Sequence, residues 1–345
     1  MAVVLIEGFD HYPAGSATQA GGLSGRWTVS TTSSWTFPAG RFAGLCARRS
    51  GSGVITMDRA LPSELTALSV GVAFHIDTAA PGSATQEITS LRSSGGAQLV
   101  IGVTIGGLLT VGRASFSNIL GTEAEGNPLQ AEAWYYLEIE AVIHGSTGSV
   151  KVCKNGVEVI SATGVNTKGQ AQDGVSTLRL RMPGTTAWAA CNVDDVYVAD
   201  AATRLGDSRV ITLVPDGDTG DKDWSPGSGE DNYAMVDEEQ VDGDTSYVAS
   251  STPGELDFYT MGNLGVTPQT IHAVQLMMCA RKDDAATREV RLKLRSGSTV
   301  ANGATQAMGS SYQYVHEIYN EDPDAEGPWN ETTVNAMQIG IETVT

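Results

Sequence analysis

Val150-Lys-Val-Cys-Lys-Asn-Gly-Val-Glu-Val-Ile160 decides the fold. Two runs of alternating apolar and polar residues flank Asn155-Gly156, a dipeptide suited to the type I′ turn of a hairpin because both central positions need positive φ. Pairing across that turn sets Lys154 opposite Val157 and Val152 opposite Val159. Val150, Val152, Val157 and Val159 then share one buried face.

Other stretches read the same way. Thr177-Leu-Arg-Leu-Arg-Met182 points Leu178, Leu180 and Met182 inward and leaves Arg179 and Arg181 in solvent. Leu137, Ile139, Ala141 and Ile143 form another inward set, and Leu68 to Ile76, Ala97 to Thr104 and Val193 to Val198 add strands separated by Gly, Ser and Thr turns. Two antiparallel sheets packed face to face are the expected product.

Composition agrees. The chain has 345 residues, 41% of them hydrophobic and only 18% charged, and 40 glycines where average usage of about 7% would give about 24. An all-β protein rich in tight turns fits, and a helical bundle does not. The length suggests about two domains. A net charge of −19 would repel a phosphate backbone, so nucleic acid is not an expected partner. The opening Met1-Ala-Val-Val-Leu-Ile-Glu-Gly-Phe-Asp10 has neither a basic start nor a small-residue cleavage site, and nowhere are about 18 apolar residues consecutive. No export signal and no membrane insertion are expected. Cys46, Cys153, Cys191 and Cys279 stand far apart without a C-x-x-C pair. They read as free thiols of a chain made in a reducing cytoplasm, with a disulfide between two of them left open.

Charge marks a boundary. Residues 1–206 hold 13 basic and 16 acidic residues, whereas residues 207–345 hold 8 and 24. The polar stretch Asp200 to Asp207 is the expected connection, giving domains 1–203 and 204–345. In the second, Arg209 to Val214 reads as a strand, followed by a long acidic stretch of loops with 14 acidic and 2 basic residues between Asp207 and Thr260. His272 to Ala280, Glu289 to Arg295 and Gln338 to Val344 read as strands, the last with Ile339 and Ile341 inward. Asn330 is placed to cap a short helix running through Met337, with Glu331 in its first turn.

Two groups of residues carry a resemblance. Trp134-Tyr-Tyr-Leu-Glu-Ile-Glu140, the Lys-Asn-Gly hairpin and the closing Val193-Asp-Asp-Val-Tyr-Val198 resemble a concanavalin A/laminin-G-like jelly roll. Tyr247-Val-Ala-Ser-Ser-Thr-Pro-Gly-Glu-Leu-Asp257 and Trp329-Asn-Glu-Thr-Thr-Val-Asn-Ala-Met-Gln-Ile-Gly340 are similar to the C-terminal part of virion proteins of tailed bacteriophages. The resemblance implies an all-β chain: a jelly-roll sandwich, then a smaller β-rich domain with a short C-terminal helix. It implies a structural virion component of fibre, spike or decoration type, made in host cytoplasm and located in the virion. Its partners would be other virion proteins, further copies of itself in a closed homo-oligomer, and a host-surface glycan. A purely architectural role in capsid or tail is the alternative.

Candidate chemistry is sparse. Glu138 and Glu140 share one side of a strand, as the paired carboxylates of a glycosidase would, but they read as the solvated face of an amphipathic strand. No enzymatic activity is expected, and a glycan depolymerase is the least favoured reading. Asp216, Asp218, Asp221 and Asp223 gather hard oxygen donors suited to Ca2+ around Gly217 and Gly220. The EF-hand pattern fails, so a solvated acidic loop is favoured and no cofactor is required. Asp194-Asp195 could likewise ligate a cation, but for one aspartate of a closing strand a structural hydrogen bond to a neighbouring loop is favoured. For sugar stacking, Trp27, Trp35 and Trp188 stand in polar, loop-like surroundings, although core or interface packing is the favoured reading for each, while Trp134 opens a strand and reads as core. Arg179/Arg181 and Arg291/Lys293/Arg295 read as exposed basic strand faces that guard sheet edges or dock an acidic neighbour.

Overall fold

Asn155 and Gly156 adopt φ of 50° and 79°, and Lys154 faces Val157 across the turn as expected. One step further the register changes, because a bulge at Val159 brings Ile160 rather than Val159 opposite Val152. Ile160 is buried, while Val157 is exposed at the strand's start. In the computed structural model, which describes residues 1–32, 35–49, 53–77, 84–182, 191–229 and 231–345, the chain divides into two units. The first comprises Met1–Phe9, Ala14–Ala17 and Trp27–Val210, and the second Asp10–Pro13, Thr18–Arg26 and Ile211–Thr345.

The first unit is a jelly-roll sandwich of two antiparallel sheets. Its strands in chain order are β1 (Val3–Glu7), β2 (Thr28–Val29), β3 (Trp35–Thr36), β4 (Ala47–Arg49), β5 (Ile55–Leu65), β6 (Ala67–Ile76), β7 (Gln86–Ser93) and β8 (Gly96–Val103), then β9 (Leu109–Arg113), β10 (Ile119–Thr122), β11 (Ala133–Val142), β12 (Gly148–Lys154), β13 (Val157–Val165), β14 (Val175–Met182) and β15 (Cys191–Ala199). One sheet runs β13-β12-β11-β6-β15-β4-β3, with β1 also on β15; the other runs β10-β9-β8-β7-β14-β5-β2. Leu137, Ile139 and Ala141 on β11 meet Val72, Val70 and Leu68 on β6, and all six are buried. Leu178, Leu180 and Met182 are buried on β14 as their alternation requires. The intervening arginines are bound within their own sheet, Arg179 to Asp58 at 2.6 Å and Arg181 to Glu87 at 3.3 Å, so no free basic face stands there.

The second unit holds β16 (Pro215–Lys222), β17 (Ser225–Pro226), β18 (Val248–Ala249), β19 (Leu256–Met261), β20 (Val274–Ala280), β21 (Glu289–Ser296), β22 (Thr299–Asn302), β23 (Gln306–Ala307), β24 (Gln313–Tyr319), α1 (Glu331–Ala336) and β25 (Gln338–Thr343). Its main sheet runs β16-β19-β25-β21-β22, and β20 pairs with β24 as a separate ribbon. Leu276, Val290, Leu292, Leu294, Trp329 and Met337 form its core, with Ile339 and Ile341 half-buried against them. Asn330 caps α1, its side chain accepting from Thr333 N–H at 3.1 Å while the Thr333 hydroxyl accepts from Asn330 N–H.

Two expectations for this region are corrected. Residues 209–214 form no strand, Val210 N–H going to the Asp195 carboxylate at 2.8 Å instead of a ladder. The strand begins at Pro215 and carries the acidic run. β16 tolerates that charge because each carboxylate finds a donor. The basic run on β21 is paired as well. Arg291 and Lys293 both hold Glu342 of β25, at 2.7 and 2.8 Å, and Arg295 holds Asp221 at 2.6 Å while lying 3.9 Å from the centre of the Phe258 ring.

Candidate functional site

The side chains first singled out do not form a surface site. Trp27 and Trp35 are each 1% exposed, which removes them as sugar platforms. Trp27 stacks beside Phe9 and donates its indole N–H to Glu7, itself buried, at 3.0 Å. Trp188 lies outside the described residues. Asp216, Asp218, Asp221 and Asp223 are drawn to separate partners. Asp216 accepts from the Thr260 hydroxyl, Asp218 from Lys222 and from the N–H groups of Asn232 and Tyr233, Asp221 from Arg295, and Asp223 from Leu256 N–H. Among the described residues no three acidic, histidine or cysteine side chains gather to hold a metal ion. The run therefore lies on a strand rather than in a cation loop, with each carboxylate drawn to a donor of its own.

The outer face of the first sheet of the jelly roll is where polar and aromatic groups meet. Strand pairing arranges it in rows. One crosses four strands, with Trp134 on β11 opposite His75 on β6, His75 opposite Asn192 on β15, and Asn192 opposite Arg48 on β4. Neighbouring strands stand about 4.8 Å apart, so the row spans about 14 Å. The next rows along the strands hold Tyr136 and Asp194, then Glu138 and Tyr197 around Gly71, then Glu140 and Ser69.

Most of that face is covered by the chain itself. Residues 203–210, leaving β15, lie across it. Thr203 C=O accepts from Ser69, Leu205 N–H donates to the Tyr197 hydroxyl at 3.0 Å and Gly206 N–H to Glu138 at 2.8 Å. Arg204 reaches Glu140 and the Cys153 sulfur. Glu138 is 1% exposed, which corrects its expected solvated position. Its Oε1 also accepts from Tyr197 at 3.0 Å, while Oε2 has no hydrogen-bond partner. Burial pushes the Tyr136 and Tyr197 hydroxyls well above the ordinary tyrosine range.

Arg41 covers the second row. Its backbone N–H donates to Asp194 at 2.9 Å, and its guanidinium stacks 4.7 Å from the Tyr136 ring centre and pairs with Asp207 at 2.6 Å. Asp194 and Asp195 are structural as read. Asp195 sits at φ 49° within the bulge of β15 and accepts from Val210 N–H.

Among the described residues, the row from Trp134 to Arg48 has its side chains least engaged. Trp134 is half-buried rather than core, its ring tilted against His75 with centroids 5.3 Å apart. His75 Nδ1 is 3.1 Å from Asp77 without the alignment of a hydrogen bond, and Asp77 pairs with Arg48 at 2.6 Å. Asn192 Oδ1 is buried and accepts no hydrogen bond. An indole, an imidazole, an amide and a guanidinium in line can stack on an apolar ring face and exchange hydrogen bonds with hydroxyls. Sequence reasoning passed over this row, although the alternation that buries Leu137 and Ile139 already turns Trp134 to the opposite side.

No family model and no curated protein matches the chain. Among solved structures it is similar to alginate lyase Aly36B, with a TM-score of 0.41 and 10% identity over 56% of this chain and 95% of that one. Domain 4 of AbnA, an extracellular arabinanase from Geobacillus stearothermophilus, gives a TM-score of 0.37 and 16% identity over 58% and 93%. The carbohydrate-binding module CBM66 from Bacillus subtilis gives 0.31 and 15% over 49% and 92%. At such identity and superposition none of them says what this chain binds.

Proposed function

We propose that the first unit is a non-enzymatic glycan-binding module and that the chain is a virion surface component of a tailed bacteriophage, contributing to adsorption on a host-surface glycan. The cross-strand row Trp134–His75–Asn192–Arg48 is the observation that supports glycan binding. It offers a ring face together with donors and acceptors that suit hydroxyls, which is how proteins hold sugars in water. The phage setting is supported by the resemblance of residues 247–257 and 329–340 alone. Absence of turnover is supported by the Glu138–Glu140 pair, since one carboxylate is sealed beneath Gly206 and the other sits beside Arg204.

Binding of the purified full-length chain to an array of bacterial envelope polysaccharides tests this reading. Retention of a defined glycan, weakened about tenfold or more in Trp134→Ala by loss of stacking, is expected. A blank array would overturn glycan binding and leave the architectural role. A rise in reducing ends on incubation with the bound glycan would overturn the non-enzymatic reading.

A further inference from the structure

On the outer face of the first sheet, one arginine after another meets a carboxylate. Arg41 pairs with Asp207, Arg48 with Asp77, and Arg204 lies 4.0 Å from Glu140. Arg209 differs. It is exposed, no ion pair links it to a carboxylate among the described residues, and its guanidinium stands 5.2 Å from the centre of the Phe42 ring. Phe42 is itself 58% exposed. In a chain with 40 acidic and 21 basic residues, a guanidinium left without an acid beside an outward-facing ring is an unfilled pairing position.

That ring is held firmly. Gly40 N–H donates to Gly44 C=O at 3.0 Å, and Gly44 takes φ 74°, closing a tight loop over residues 40–44. Arg41 roots the loop on Asp194 and Tyr136, so little ordering remains to be lost when a ligand meets Phe42. Tyr136 and Asp194 lie two residues along their strands from Trp134 and Asn192, about 7 Å away. The Phe42 loop therefore borders the Trp134 row.

We infer that Phe42 and Arg209 form a second subsite beside that row, for a sugar unit bearing an anionic group: a carboxylate, sulfate or phosphate. The inference rests on glycan binding at the Trp134 row. The ring supplies apolar contact to the sugar, and the guanidinium fork presents parallel N–H donors that fit two oxygens of one anionic group. The glycan then covers at least two sugar units, one over Trp134 and a charged one at Phe42.

An immobilised panel of neutral oligosaccharides and their carboxylated, sulfated and phosphorylated counterparts tests this with the full chain and its Arg209→Gln, Phe42→Ala and Trp134→Ala variants, each checked for a native melting transition. The native chain is expected to prefer one charged series. In Arg209→Gln the ratio of charged to neutral binding falls about tenfold, and in the native chain the ratio shrinks as salt rises from about 50 to about 500 mM. The series preferred identifies which anion is read. Equal binding of neutral and charged sugars, or an undiminished preference in Arg209→Gln, would overturn the subsite while leaving Trp134 in place. Full binding by Trp134→Ala would overturn glycan binding at the Trp134 row, no binding to any panel member would overturn glycan binding altogether, and either result would take the subsite with it.

Discussion

Lys154 Nζ lies 2.5 Å from Glu123 Oε1, and both side chains are almost wholly buried, at 3% and 4% exposure. The ammonium also donates to Asn127 C=O, and Glu123 Oε2 accepts from Leu109 N–H at 3.1 Å. The pair thus ties the end of β12 to the segment that follows β10. Removing one member leaves the other charge buried without compensation. Lys154→Met alone is expected to lower unfolding free energy by about 3 kcal/mol or more. Lys154→Met with Glu123→Leu should recover part of that loss, because two apolar side chains leave no charge stranded. Urea titration of the native chain and the two variants checks both statements: a native-like Lys154→Met would contradict the first, and a double variant no more stable than Lys154→Met the second.

Gly71 stands where Tyr136 and Tyr197 close over β6. A Cβ there would fall within the van der Waals radius of the Tyr197 ring and of the Tyr136 hydroxyl, both buried and unable to swing aside. Gly71→Ala is expected to cost about 2 kcal/mol and to alter the near-ultraviolet circular dichroism of the tyrosines. An unchanged denaturation midpoint would count against the packing described.

Acid should weaken the second unit through Glu342. Arg291 chiefly, with Lys293, holds its carboxyl down from an ordinary 4.5 to about 2. A folded-state value below the unfolded one means the unfolded chain takes up protons first as pH falls. The contribution is therefore complete above about pH 5 and lost as pH falls from about 4.5 toward 2. Glu342→Gln should lower stability at neutral pH and flatten the acid side of the stability curve, read by urea unfolding between pH 3 and pH 7. A variant that keeps the native slope would rule out this assignment.

The second unit also draws on residues from the front of the chain. The Tyr314 hydroxyl donates to Gly21 C=O at 2.5 Å, the Tyr314 ring meets His11 edge-on, and Arg26 donates to Gln275 and to the Met277 sulfur. A fragment of residues 211–345 lacks these partners and leaves the β20–β24 ribbon uncovered on that side. Dye binding to exposed apolar surface and a broad melt are expected of it. A sharp two-state melt would contradict the dependence.

What the sequence made legible was local. The Asn155-Gly156 turn, the inward set Leu137–Ile139–Ala141, the β14 alternation and the Asn330 cap each follow from residues within a few positions of one another. What it hid depends on distant cover. Whether the other side of β11 faces water is decided by residues 203–210, more than sixty positions on, which turn Glu138 into a buried acceptor and leave Trp134 beyond their reach. Trp27 owes its cover to distant residues too, its indole partner Glu7 lying twenty positions earlier. Arg291 and Lys293 could be placed on one strand face, but the glutamate between them comes from β25, some fifty residues away.

Among the described residues β1 pairs only with β15, Val3 opposite Ala199 and Glu7 opposite Val196. During translation β1 must wait for β15, the last strand of its unit, roughly ten to forty seconds at about 5–20 residues per second. Closure of such distant pairings carries a large chain-entropy cost, so folding should be slow and the waiting strand should need protection from premature association.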